Sequence, residues 1–372
     1  MTELRVFACW FPLVPRARPH CAPLDRRVEA VTTMAHQATT ATEAAAALNL
    51  TALFASDISA HDLAAELCER QLHTFVNHAP LHAGHAGLAM EPVINLARLA
   101  IRAGDGDRAH QILDQALAAA ADGSTTSFNG YPIDFTALAD SVASRRAAHE
   151  RLWTAFHSDG TRALARAGRW NEALLATERR GGIGDRLLDG RQTAIIANFM
   201  AGNLDDATAL IADTEALDPW EKALAAYFAA CLAYANDRAN TATCVRLTDM
   251  IQRLQLPPEQ QLFQVRLGLS ILELTCLLHH DASALTAFLT EIAVKTGDAY
   301  AARDLLTNPV FPTLVDEQAA AGLAATLQSG GLDPREGPAL QHHRLQVVAD
   351  GALTRLSDLL KLEGAPHRLG AP

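Results

Sequence analysis

Two short stretches of the chain place the same kinds of side chain at the same intervals. Asn95, Arg98 and Arg102 precede Gly104 by nine, six and two residues, and Asp159, Arg162 and Arg166 precede Gly168 by the same steps. On a helix the steps i, i+3 and i+7 share one face, so each stretch would present two guanidinium groups beside a shorter polar group. Arginine forks hold carboxylate or phosphate oxygens through two parallel hydrogen bonds. The chemistry on offer is therefore capture of an anionic group, a carboxylate or a phosphorylated side chain, on an extended peptide. Asp189 and Gln192, three residues apart, offer further acceptors and donors on one helical face. The alternative is a solvated face on which the arginines pair with local acids such as Glu91, Asp105, Asp107 and Asp159.

Other chemistry is sparse. The segment from Glu178 to Gln192 is rich in glycine and arginine, but it lacks the G-x-x-x-x-G-K-[ST] spacing and a preceding strand, so it reads as a connector between helices. His73, His78, His82 and His85 crowd together, and the last three have the spacing of one helical face. Pro80 and Gly84 interrupt that helix, which makes these loop histidines, and no metal or other cofactor is expected. The adjacent pairs His279–His280 and His342–His343 would diverge on a helix. No H-E-x-x-H, G-x-S-x-G, dinucleotide or kinase motif occurs. If the protein catalyses a reaction, its acid or base would be Tyr131, His149 or His157, with arginines holding an anion nearby. Trp153, Phe156, Trp170 and Trp220 are expected to pack between helices.

The elements that must position these residues are helices. The 372 residues are 49% hydrophobic but only 5% aromatic, with 22 glycines and 16 prolines, and alanine abounds, which favours packed helices over sheet and points to an all-α fold. A net charge of −11 would repel a phosphate backbone, so nucleic acid is not expected as a partner. Six cysteines, none in a C-x-x-C pair, read as buried reduced thiols. The N-terminus lacks the pattern of a signal peptide, and no apolar stretch reaches bilayer-spanning length. A cytoplasmic protein without membrane contact is the expectation.

A local pattern, Ala-Gly, four variable residues and then Ala, recurs at Ala103–Gly104 to Ala109, Ala167–Gly168 to Ala173 and Ala201–Gly202 to Ala207. The glycine suits the left-handed turn that ends a helix, and the alanine lets the next helix lie close. Gly168, Gly202 and Asn236 are spaced by 34 residues, and Pro219 stands 17 after Gly202. In these features the sequence resembles the tetratricopeptide-repeat family, although the large aromatic early in the first helix is missing and the closing proline is not repeated. The resemblance implies an α-solenoid of helical hairpins whose first helices line a concave groove holding a peptide or protein, and would place Asp189 and Gln192 beside the arginines. The clearest repeats would cover 154–255 within one helical domain at 31–362, preceded by an irregular segment at 1–30 and followed by a tail at 363–372. The step of 64 from Gly104 to Gly168 leaves an insertion at about 122–148, of which 122–127 is loop by composition. A helix from about Pro338 to Leu362 would cap the array.

The stretches Asp159-Gly-Thr-Arg-Ala-Leu, Arg166-Ala-Gly-Arg-Trp and Gly184-Asp-Arg-Leu-Leu-Asp-Gly-Arg-Gln192 resemble actinobacterial proteins of the class V lanthipeptide type of maturation system. That resemblance implies a partner that is a ribosomally made precursor peptide, together with companion maturation enzymes. The alternative it implies is an enzyme, or an enzyme subunit, of lanthipeptide-type cyclisation, in which a Cys thiol adds to a dehydro residue. A tetratricopeptide-type regulatory scaffold is the remaining alternative.

Overall fold

The structure, a computed structural model, describes residues 10–128, 130–332 and 339–364. The chain is mostly helical. It begins with α1 (Leu24–Gln37), α2 (Ala41–Asp57), α3 (His61–Asn77), α4 (Ala83–Leu88), α5 (Glu91–Arg102) and α6 (Gly106–Asp122). A hairpin of β1 (Thr125–Phe128) and β2 (Tyr131–Asp134) follows, then α7 (Phe135–Leu138), α8 (Val142–Ala155), a π-helical turn (Phe156–Gly160) and α9 (Thr161–Arg166). Next come α10 (Trp170–Arg179), α11 (Asp189–Ala201), α12 (Leu204–Ala212), α13 (Pro219–Ala235) and α14 (Thr241–Arg253). The last elements are α15 (Gln261–Leu277), α16 (Ser283–Thr296), α17 (Ala299–Leu306), α18 (Glu317–Ser329) and α19 (Ala339–Gly364).

These elements gather into two compact units. The first comprises the described residues of Met1–Leu24 and Leu164–Asp333, and the second those of Asp25–Ala163 and Pro334–Pro372. In the first unit consecutive helices from α10 to α18 pack on one another in chain order. Gly168 and Gly202 take positive φ, 74° and 82°, at the turns where a β-carbon would be strained, as the Ala-Gly pattern requires. Pro219 opens α13 at a position with no intrahelical donor to lose, and Asp218 and Glu221 close a capping box around it. The core of this unit runs from Leu187 through Tyr227, Leu267 and Leu289 to Phe311, and takes in Phe11, Leu13 and Cys21 from the N-terminal segment.

In the second unit α19 packs along α2 and α3, α4 packs on α8, and α5 pairs with α6. Thr40 and Glu43 form a capping box at the start of α2. Gly106 lies so close to the Ala163 carbonyl that a β-carbon there would stand 2.6 Å from its oxygen, which fixes glycine at the start of α6. No described helix is long and apolar enough to cross a membrane.

Several expectations are corrected. Residues 125–127, read as loop, form β1, because Thr125 and Thr126 pair with Asp134 and Ile133 and suit a pleated edge. Regular structure starts at Leu24, inside the segment read as irregular, because Asp25 and the apolar stripe of Val28 and Val31 begin a helix there. Phe156, Trp170 and Trp220 are buried as expected, but Trp153 is 37% exposed, its ring edge against His157. Cys21 is buried; Cys68, Cys231 and Cys244 are buried free thiols, and burial pushes Cys68 and Cys231 up to about 12, which makes them inert. Residues 363 and 364, read as the start of the tail, continue α19; Cys9 with the rest of 1–9, and residues 365–372, lie outside the described residues.

Candidate functional site

The residues singled out at Gly104 and Gly168 meet in part. Arg98 Nε donates to Asp159 Oδ2 at 2.9 Å and its Nη1 to Asn95 Oδ1 at 3.2 Å, while Asn95 Nδ2 reaches Asn49 on α2 at 3.0 Å. Arg102 turns elsewhere: its Nη1 donates to Ser56 Oγ at 2.7 Å and to Asp57 Oδ1 at 3.2 Å. Asp57 also takes the buried Arg27 Nη1 at 2.7 Å, so this carboxylate sits between two guanidinium groups. Arg162 is half-buried in the second unit, whereas Arg166 is exposed and belongs to the first, the division falling within α9. The π-helical turn explains the mismatch. Asp159 lies in that wider turn, so the step from Asp159 to Arg162 is not the regular α-helical step from Asn95 to Arg98. The local acids are engaged: Glu91 pairs with Arg151, and Asp105 caps α6 by accepting from Arg108 N.

The catalytic candidates occupy three different settings. Tyr131 is exposed on β2 with its ring 5.9 Å from that of His73. His149 is half-buried on α8. His157 is buried, its ring edge-on to Trp153 and Phe156.

Asp189 and Gln192, in contrast, are joined by a single ligand, and it belongs to the same chain. The segment from Trp10 to Cys21 runs without helix or strand along the first unit. Gln192, fully buried in the first turns of α11, grips one residue of it through both ends of its amide. Its Oε1 accepts from Leu13 N at 2.7 Å, and its Nε2 donates to Leu13 O at 2.9 Å and to Leu187 O at 2.8 Å. A turn earlier, both oxygens of buried Asp189 accept from the two terminal nitrogens of Arg16. Phe11 stacks on Tyr227 of α13 with ring centres 5.6 Å apart and leans on Phe228. Trp10 lies beneath the Arg266 guanidinium of α15 at 5.2 Å, and Arg266 in turn pairs with Asp304 of α17 at 2.8 Å. Burial opposes the charge on Asp304, yet Arg266 and Arg303 outweigh it and hold its carboxyl below the usual range. Farther along, Arg18 N donates to Glu259 O, and Cys21 N and O pair with Asp298 Oδ1 and Ala299 N at the start of α17. The segment thus touches α11, α13, α15 and α17, every second helix of the array.

The connector before α11 sets this site. Gly190 approaches Gly182 so closely that a β-carbon would stand 2.0 Å from the Gly182 oxygen. Arg191 ties the connector to the end of α12, donating to Gly184 O on one side and to Leu210 O and Thr214 Oγ1 on the other. Arg186 pairs with buried Glu221 through two nitrogens, and Glu221 Oε1 accepts from Leu187 N. Leu187 is thereby fixed where its carbonyl aligns the Gln192 amide. The glycine-rich stretch is the connector expected from its sequence, and its close approach is what holds Asp189 and Gln192 in place.

Trp10, Phe11, Leu13 and Arg16 were not singled out by sequence reasoning. The available signal was the run Trp10-Phe-Pro-Leu-Val-Pro15, whose large apolar residues need cover and whose prolines prevent them from finding it within a helix or a sheet. Among the described residues, one group has the donor set of a metal site: His82, His85 and Glu363 in the second unit. Compared with known proteins, the chain matches no protein-family model, no curated protein and no solved structure.

Proposed function

We propose that the protein is a peptide-binding α-solenoid of tetratricopeptide-like hairpins, and that the face of its first unit built from α11, α13, α15 and α17 is the binding groove. The observation that carries the reading is the Gln192 amide, which is buried and satisfies both the N–H and the carbonyl of one residue that belongs to no helix or strand. That contact is blind to side-chain identity and suits any extended peptide. Selectivity comes from its neighbours: Asp189 selects an arginine three residues further on, and the Tyr227–Phe228 surface selects an aromatic two residues before. The working anchor is thus an acid and an amide, in place of the arginines Arg98, Arg102, Arg162 and Arg166, the first three of which belong to the other unit. The residues at 10–21 are a ligand held in cis, at an effective concentration that a partner peptide must overcome. On the resemblance to lanthipeptide maturation proteins, a precursor peptide is the partner of first choice.

The experiment is titration of a fluorescent peptide copying residues 10–22 into the full chain, alongside a Phe11→Ala, Arg16→Ala variant whose own segment is weakened. The variant, folded by circular dichroism, should bind the peptide at least about tenfold more tightly than wild type, because competition in cis is reduced. Adding Gln192→Ala should remove that gain. A folded variant that binds no peptide would sink the reading and leave the segment a structural strap.

A further inference from the structure

The second unit brings together three side chains that are distant in sequence. His82 immediately precedes α4, His85 lies on its first turn, and Glu363 is at the far end of α19. One potential ligand atom from each lies within 4.8 Å of the others. The imidazoles of His82 and His85 are 3.8 Å apart at their ring centres, and His85 Nε2 is 2.7 Å from Glu363 Oε2. We propose that His82, His85 and Glu363 form a binding site for one divalent transition-metal ion of the zinc class, with two imidazoles and one carboxylate as ligands.

The donor set fits that class. Borderline ions such as Zn²⁺ take imidazole nitrogen and carboxylate oxygen at about 2.0–2.2 Å, and in a tetrahedral site such ligands stand about 3.3 Å apart. The present spacings bracket that value, so a small rotation of the Glu363 carboxylate away from His85 opens the space. The histidines must bind as neutral bases, and burial holds the buried His85 below the usual imidazole range against the opposing pull of Glu363.

The surroundings restrain each ligand. Glu363 Oε1 accepts from Ala41 N at 2.8 Å at the start of α2, which aims the other oxygen at the histidines. The backbone just before His82 is pinned, since Leu81 N and O pair with Leu138 O and Asp140 N. His78, four residues earlier, is tied to Thr74 O and to Ser357 of α19. Gly84 clears the space into which the His82 ring folds, for a β-carbon at residue 84 would stand 3.2 Å from Cε1 of that ring. His82 is exposed, leaving one side open for a water as the fourth ligand. Such an ion would clamp the end of α19 onto the start of α4.

The proposal is independent of the peptide-binding reading, since all its residues lie in the other unit. It is tested on the full chain, stripped with a chelator and titrated with Zn²⁺ against a chromogenic competitor, with Co²⁺ absorption reporting the ligand geometry. Because 15 histidines give a background, His36→Ala, an exposed histidine on α1, is the control. Wild type and His36→Ala should each bind one ion, and His82→Ala, which alters an exposed side chain, should lose at least about tenfold in affinity. Glu363→Gln keeps the acceptor for Ala41 N and should still weaken binding, and Gly84→Ala should do so less strongly. Equal binding by wild type and His82→Ala, or no ion retained by wild type, would overturn the site and leave the three side chains as a hydrogen-bonded end of α19.

Discussion

The two faces that sequence spacing pointed to differ in what covers them. On the first unit, Asp189 and Gln192 lie beneath the segment from Trp10 to Cys21, buried and with hydrogen-bonding groups turned to it. On the second, Arg98 remains 44% exposed in its side chain and turns to Asp159, while Arg102 turns to Asp57. Both faces carry polar residues at helical intervals, and among the described residues only the first holds a segment without helix or strand. The physical difference is desolvation. A buried amide or carboxylate without a partner costs more free energy than an exposed one, so a buried polar residue implies a committed ligand. An exposed arginine finds an acid or water at little cost and implies none. Burial separated the face that holds the N-terminal segment from a charge pattern where spacing alone could not.

The contrast can be broken most forcefully at Phe11. Its ring is almost fully buried against Tyr227 and Phe228, so Phe11→Ala should lower the unfolding free energy of the first unit by about 3–5 kcal/mol, measured by urea denaturation. A loss below about 1 kcal/mol would show that the segment rests on the surface and that the two faces are alike.

A smaller effect compares buried acids. Asp57 sits between Arg27 and Arg102, whereas Glu273 on α15 is buried with Asn308 Nδ2 as donor at 2.6 Å and no cation among its hydrogen-bond partners. Burial raises the Glu273 carboxyl from 4.5 to about 7, against the opposing effect of Asn308. The folded chain therefore holds a proton there that the unfolded chain releases. Stability from this group is full below the unfolded value and is lost as pH rises through about 7. Glu273→Gln should flatten that fall, and at pH 8 should be more stable than wild type by on the order of 2 kcal/mol, with little difference at pH 4. Thermal unfolding followed across that range checks it, and parallel pH profiles for the two proteins would count against a protonated Glu273.

The smallest effect is the sharpest test of the comparison. Arg98→Ala removes an exposed pair and should change stability by less than about 1 kcal/mol, by less still in high salt. A larger loss in the same denaturation assay would mean that the arginine face is built as tightly as the segment-bearing one.

Much of the architecture was legible in the residues. The Ala-Gly pattern marked turns at Gly104, Gly168 and Gly202, and all three have positive φ at helix ends. Asp189 and Gln192 were legible as a polar pair on one helical face, because helical spacing is local and survives in the sequence. The ligand of that pair was not, since Leu13 and Arg16 are separated from Gln192 and Asp189 by more than 170 residues. The π-helical turn at 156–160 was likewise invisible, and it displaced Asp159 from the spacing on which the arginine pattern was drawn.

What the sequence determined by itself is helix: an alanine-rich, aromatic-poor composition favours it, and caps at Thr40, Asp218 and Gly202 act within a few residues along the chain. Tertiary structure alone decided which polar residues became partners. The chain folds its N-terminal residues onto α11 and brings Glu363 to His85 across 278 positions. Local propensity has no reach over such distances. Burial of Phe11 and Leu13 in one unit, and packing of α19 on α2 and α3 in the other, draw those groups together, and the hydrogen bonds follow because groups so enclosed must be satisfied.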